Sequence, residues 1–157
     1  MENENYKKDF KPFLIWLILF MVGMNGFPML VKLFPSMSVE VQTKLSIFLL
    51  LAAILILYYI IFKGEFIYYV PGGPTFEEAK AVGSEKRKVY AKKSFIGMMR
   101  ASMLTLIFMV ISLFMGLSGF YDWIVAGACV GAAAFSTMKE KLHTDEVEEV
   151  NRGDSEE

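Results

Sequence analysis

Few residues of this 157-residue sequence have side chains that do chemistry inside an apolar segment. Asn25 lies in the first uncharged run, and Thr105 and Ser112 lie in the third. Amide and hydroxyl groups at such positions either line a path for a small solute or hydrogen-bond between packed helices. Asp122 stands at the edge of the fourth run, where we expect it to cap a helix and complement its dipole.

Combinations that support catalysis or metal binding are absent from these runs. His143 follows the last run, and Cys129 is the one cysteine. We expect no two titratable groups to share a site, which leaves general acid–base catalysis without machinery. The 11 methionines are interpreted as apolar filler rather than a copper site, because no His or Cys joins them. The sequence therefore predicts a protein that is not an enzyme and that holds no metal or cofactor.

Four uncharged stretches must position the polar residues, and they cover 13–31, 45–62, 101–121 and 123–138. Apolar residues make up 55% of the chain, and the mean hydropathy is +0.43. A helix rises about 1.5 Å per residue, so roughly 20 residues cross about 30 Å of hydrocarbon. We predict an all-α integral membrane protein with four transmembrane helices, a tight hairpin between helices 3 and 4, and a basic cytoplasmic helical loop.

The predicted organisation has three parts. A cytoplasmic N-terminal segment covers 1–11, a four-span membrane domain covers 12–142, and an acidic tail expected to be disordered covers 143–157. The spans are predicted at about 12–33, 45–62, 100–118 and 122–138, with a cytoplasmic loop at 63–99.

The basic residues predict the orientation. Of the 16 Lys and Arg residues, all but Lys32 and Lys44 lie before the first run, between the second and third runs, or after the fourth run. Because positive residues stay on the cytoplasmic side, both termini are expected to be cytoplasmic, in a plasma (inner) membrane. No nucleic-acid partner is expected.

The first span contains a kink signal. Pro28 frees backbone carbonyls about one turn earlier. The Asn25 amide is expected either to hydrogen-bond to one of these carbonyls or to hydrogen-bond to another helix instead. Gly23 and Gly26 allow close approach of a neighbouring backbone. We interpret this stretch as a packing site that faces protein; a substrate or ion site at a broken helix is the alternative.

The third span carries small residues at alternating spacings of three and four, which places them on one helix face. Besides Met109, this face comprises Ser102, Thr105, Ser112, Gly116 and Gly119. Faces of this kind are where membrane helices meet.

The fourth span carries a matching ridge. Gly127 and Gly131 form a GxxxG pattern, and Ala128 and Ala132 run beside it at the same interval. We expect the ridges of spans three and four to pack on each other. A small-residue face left over would serve a second copy of the chain or another membrane protein.

The connection between spans two and three is basic. Thr75 and Glu78 form a capping-box pattern that predicts a helix start. Beyond it, cations are expected to dock anionic lipid headgroups or a partner, the alternative being that they only hold the loop inside during insertion. These residues are Lys86, Arg87, Lys88, Lys92, Lys93 and Arg100.

Taken together, these patterns favour a small multi-pass protein that acts by protein–protein contacts within the bilayer, in an accessory, regulatory, assembly or immunity role. The alternative is an oligomeric channel or small-molecule transporter with a path near Asn25, Thr105 and Ser112. The expected partners are the lipid bilayer, anionic headgroups, and either a second copy or another membrane protein.

Overall fold

A computed structural model describes residues 6–33 and 35–139 of the chain. Within those residues the protein is all helical and contains no strand, which confirms the all-α prediction. The predicted tail, His143 and the first five residues lie outside the described part. The helices are α1 (Lys11–Val31), α2 (Val39–Gly64), α3 (Phe76–Ala81), α4 (Gly83–Phe114) and α5 (Gly119–Lys139), with a short 3₁₀ turn at Ile67–Tyr69.

Helices α1, α2, α4 and α5 are each long and apolar enough to cross a membrane. α2 begins six residues before the predicted second span, because the Ser38 hydroxyl accepts a hydrogen bond from the Val41 amide at 3.3 Å and caps the helix. It ends where Glu65 adopts a left-handed conformation, at a φ of 56°.

α4 extends well beyond the predicted third span, into the basic helical segment that precedes it. It is one 32-residue helix that includes 83–99, the part of the loop predicted to precede the third span. No proline interrupts this sequence, and Gly97 alone does not break a helix. The basic segment and the apolar segment are therefore one rod.

α3 begins as the sequence predicts. The Thr75 hydroxyl accepts from the Glu78 amide at 3.3 Å, and the Glu78 carboxylate accepts from the Thr75 amide at 2.6 Å. This confirms the capping box. The hydrogen bond that the Glu78 carboxylate accepts from the Thr75 amide, with a second from the Thr75 hydroxyl, favours the ionised form and lowers the pKa of Glu78.

Two buried clusters hold α2, α4 and α5 together. Ile47, Leu51, Met109 and Ala126 join all three helices at one end. At the other end Ile61 packs with the 3₁₀ turn, α3 and the first turns of α4. Since Lys44 meets Ser112 and the Phe62 ring stacks on Phe95, α2 and α4 run antiparallel.

α1 lies outside this packing. None of its residues is buried, and α2 is the one helix that it packs against in the described part of the chain. The Trp16 indole donates to the Ala53 carbonyl at 2.9 Å, which ties α1 to the middle of α2. The apolar window of α1 is accordingly 0% buried within the described part of the chain.

The segment before α1 is anchored at the end of α2. The Tyr6 hydroxyl donates to the Glu65 carbonyl at 2.7 Å, and the Tyr6 ring lies 4.0 Å from the Arg87 guanidinium carbon. The pKa of Tyr6 is raised well above its usual value, mainly by burial and secondly by the neighbouring Tyr68. The Glu65 carboxylate accepts from Arg87 Nε at 3.1 Å and from the Ser84 hydroxyl at 2.9 Å.

We expect Glu65→Gln to lower the free energy of unfolding by about 3 kcal/mol, because Arg87, only 3% exposed, loses the charge that compensates its burial. Reversible unfolding in mixed micelles, followed by circular dichroism, measures the change. The exposed Glu77→Gln is the matched control and should change stability by less than about 0.5 kcal/mol. Equal effects of the two substitutions would contradict the role given to Glu65.

Candidate functional site

Three polar side chains from three helices meet in the interior. Lys44 of α2 forms an ion pair with Asp122 of α5 and donates to the Ser112 hydroxyl of α4 at 2.5 Å. Ser112 in turn donates to the second Asp122 oxygen, also at 2.5 Å. Ser112 and Asp122 are 0% exposed and Lys44 is 9% exposed. We call these three residues the polar triad.

The helix periodicity explains how the triad assembles. On α2 the buried residues Lys44, Ile47, Leu51, Tyr58 and Ile61 are separated by three, four or seven positions, so Lys44 begins the buried stripe. Ser112 ends the corresponding stripe of α4, and Asp122 lies in the first turn of α5. Three stripes that face one another therefore place their polar members at the same end.

One expectation about these residues is wrong, because two titratable groups do share a site. Asp122 lies in the first turn of α5, where its charge complements the helix dipole, but its side chain is fully buried. The signal was present in the sequence, since Lys44 continues the three-and-four spacing of Ile47 and Leu51. Its charge, at the end of an apolar run, favoured an interfacial interpretation instead.

A contact between lysine and serine raises the question of nucleophilic chemistry. A serine nucleophile needs a neighbouring base, and here Lys44 is paired with the Asp122 carboxylate. The Ser112 hydroxyl already accepts one hydrogen bond and donates another, and both Ser112 and Asp122 are 0% exposed. The contacts of the triad join three helices.

Packing uses the predicted face of α4 in large part. Ser102, Thr105, Met109 and Ser112 are all buried. Gly116 is not on this face: it is exposed, lies beyond the end of α4 and has a φ of 64°, which terminates the helix. Thr105 bonds within its own helix, to the Ala101 carbonyl at 3.0 Å.

The ridge of α5 is placed differently from the expectation. Gly127, Gly131, Ala128 and Ala132 are exposed, and a Cβ added at either glycine would meet no atom within 4 Å. Asp122, Ala126 and Thr137 form the buried face of α5 instead.

Asp122 accounts for this placement of the ridge. Gly127 follows Asp122 by five residues, about 140° around the helix, so burying Asp122 turns the ridge outward. Where α5 does approach a neighbour closely, the glycine is Gly119, whose added Cβ would lie 2.7 Å from Thr43 Cγ2.

The stretch around Pro28 of α1, predicted to pack against protein, also has few neighbours in the described structure. Asn25, Gly23 and Pro28 are exposed and Gly26 is half-buried, with nothing within 4 Å of a Cβ added at either glycine. The Asn25 amide donates to the Met21 carbonyl of its own helix at 2.7 Å, which is the local of the two bonds expected. Among the described helices α1 packs against α2 alone, so a single copy does not bring Asn25 into one path with Thr105 and Ser112.

The six basic residues expected to dock headgroups differ in their exposure. Arg87 is buried, bonded to Glu65 and to the Ala79 carbonyl at 3.2 Å, so it does not belong to the docking set. Lys88 is mostly exposed but lies 3.5 Å from Glu65. The other exposed cations of α4 are Lys86, Lys92, Lys93 and Arg100.

Comparison with known proteins adds no assignment. The chain matches no protein-family model, no curated protein and no solved structure. Within 6–33 and 35–139, no group of three His, Cys, Asp or Glu residues is arranged to hold a metal ion.

We expect the triad to show strong coupling between Lys44 and Asp122. Lys44→Met or Asp122→Leu alone should each cost about 3–5 kcal/mol, because each leaves one buried charge without its partner, while the double variant should lose far less than the sum. A double-mutant cycle of unfolding free energies in mixed micelles measures the coupling. Lys32→Met, at an exposed lysine, is the control. Additive losses would exclude the pair as the tie between the helices.

Proposed function

We propose that this chain is a multi-pass membrane protein that acts through protein–protein contacts made within the bilayer, in an accessory, regulatory, assembly or immunity role. The ridge of small residues on α5 carries the proposal. It extends over about one and a half helical turns. Nothing in the described part of the chain covers it, whereas most of the small face of α4 is buried.

Insertion in a membrane is supported by the spacing of the charged clusters. The polar triad and the Glu65–Arg87 pair are tied to opposite ends of α2, at positions 44 and 65. Twenty-one residues of helix are about 31 Å long, close to the roughly 30 Å thickness of bilayer hydrocarbon. Between these positions α2 has no charge before Lys63.

The orientation proposed is that of the positive-inside rule. The end of the bundle that carries Glu65 and Arg87 also carries the exposed lysines of α4, so this end is assigned to the cytoplasm of a plasma (inner) membrane. α1 begins at the same end, and α5 ends there because α2 and α5 both start beside the triad. Both termini are accordingly placed inside.

A partner helix is the occupant that suits the α5 ridge. Lipid chains gain little from a surface of Gly and Ala, whereas a second helix approaches such a surface closely and gains van der Waals contact. The open glycines Gly23 and Gly26 offer a further small surface on α1. A second copy of this chain and another membrane protein both satisfy these requirements.

The channel or transporter alternative requires an oligomer. Thr105 and Ser112 are 0% exposed and hydrogen-bonded, and Asn25 is on the helix that packs against α2 alone. No observation favours a channel or transporter over a protein that acts by protein–protein contacts. The experiment therefore tests the small-residue ridge of α5.

We expect Gly127→Leu with Gly131→Leu to abolish association without unfolding the chain. A Cβ added at either glycine meets no described atom within 4 Å in the monomer, and leucine favours the helix more than glycine does. A photoreactive residue at Ala128 should give discrete protein adducts in native membranes, and the two leucines should reduce these to background. Adduct mass then separates a second copy from another protein.

The matched control is Gly97→Leu, at a glycine equally open but on α4. It should leave the adducts unchanged. Absence of protein adducts at Ala128, or adducts that persist in the double leucine variant, would contradict contact through the ridge.

A further inference from the structure

Arg100 lies at the level of the apolar part of α2. It follows Phe95 by five residues, and Phe95 stacks on Phe62 at 5.9 Å between ring centroids. At about 1.5 Å per residue, Arg100 is therefore about 8 Å along the bundle from Phe62, toward the triad. That level falls within the uncharged stretch 45–62 of α2. In an inserted protein, a charge at such a depth needs a partner.

No residue in the described part of the chain is hydrogen-bonded or ion-paired to Arg100, and its side chain is exposed. The buried face of α4 includes Thr105, five residues later and about 140° around the helix. Arg100 consequently points away from α2 and α5, toward the surroundings of the bundle.

The direction of the side chain matters as well. Side chains on a helix lean toward its N-terminus, so the guanidinium of Arg100 reaches back toward the basic end of α4. Lys93 lies seven residues before Arg100 on nearly the same line, and the exposed Lys92 lies beside it. In the other direction the same face continues with Leu104, Ile107 and Ile111, exposed by 60%, 54% and 48%.

We propose that this outward face of α4 binds an anionic phospholipid, with Arg100 donating to the phosphate. The acyl chains lie along Leu104, Ile107 and Ile111. The inference rests on the membrane insertion proposed above.

Both halves of such a lipid match the surface. A guanidinium presents paired donors to phosphate oxygens, and an anionic headgroup adds attraction to the cations around it. The apolar row accepts hydrocarbon directly beyond the charge. A free inorganic anion would contact the cations but not the apolar row. An acidic side chain of another helix would itself have to be brought into the apolar layer, which is costly.

Binding of phosphatidylglycerol to the delipidated full chain in detergent tests the proposal, with phosphatidylcholine as the neutral probe, both followed by native mass spectrometry. The wild type should prefer phosphatidylglycerol. Arg100→Gln should lower that affinity about fivefold, as expected for one cation at the headgroup level. It should lower phosphatidylcholine binding less, because the choline cation of that lipid offsets the charge of its phosphate, so the preference for phosphatidylglycerol should shrink. Arg100→Lys should recover part of the preference, because the charge returns without the planar donor pair.

Lys32→Gln removes an exposed cation at the other end of the bundle and should change nothing. Unchanged phosphatidylglycerol affinity in Arg100→Gln would overturn the proposal. So would its displacement by millimolar inorganic phosphate, which would reveal a free-anion site, or a protein adduct from a photoreactive residue at Leu104. Alkaline extraction of membranes separates the two ideas: release of the chain would remove the membrane assignment itself, whereas retention with no lipid preference would remove only this site.

Discussion

The ion pair between Lys44 and Asp122 constrains the rest of this structure. A charge taken into an apolar interior requires an opposite charge and hydrogen bonds at fixed positions, and apolar packing alone specifies no such geometry. Here each charge comes from a different helix and the bridging hydroxyl comes from a third. The triad therefore fixes the rotation of α2, α4 and α5 about their own axes at one end of the bundle.

The consequences reach the surface. Once Asp122 faces inward, Gly127 and Gly131 of α5 face outward, and the small residues that α5 buries include Ala126 and Thr137. At the opposite end the Glu65–Arg87 pair, with Tyr6 stacked on the guanidinium, holds the start of α4 and the segment before α1. Between the two pairs the outward side of α4 is left with Arg100 and its apolar continuation. The buried ion pairs thus determine which faces of α4 and α5 are exposed on the outside of the bundle.

The sequence predicts much of the fold because hydropathy and length are local properties. Four apolar runs predict four long helices, and the spacing of Ser102, Thr105, Met109 and Ser112 predicts a face that is buried. The start of α3 follows from Thr75 and Glu78 alone.

The site was harder to predict from the sequence, because it depends on pairs of residues that are distant in sequence. Lys44 and Asp122 are 78 residues apart, and each on its own is typical of a residue at a membrane edge. Arg87 lies among exposed lysines in the sequence, but its side chain is buried, where it donates a hydrogen bond to Glu65, 22 residues earlier. Likewise the GxxxG pattern of α5 indicates a close packing surface but not which neighbour it meets, since its direction depends on Asp122.

The orientation of α5 is tested most directly by disulfide crosslinking in native membranes, with Cys129→Ser as background. We expect cysteines at Ile47 and Ala126, which belong to one buried cluster, to form an intramolecular disulfide readily under mild oxidation. Cysteines at Ile47 and Gly127 should not, because Gly127 faces away from α2. Efficient crosslinking of the second pair in place of the first would mean that α5 is rotated, and the account of the triad and of the exposed ridge would be wrong.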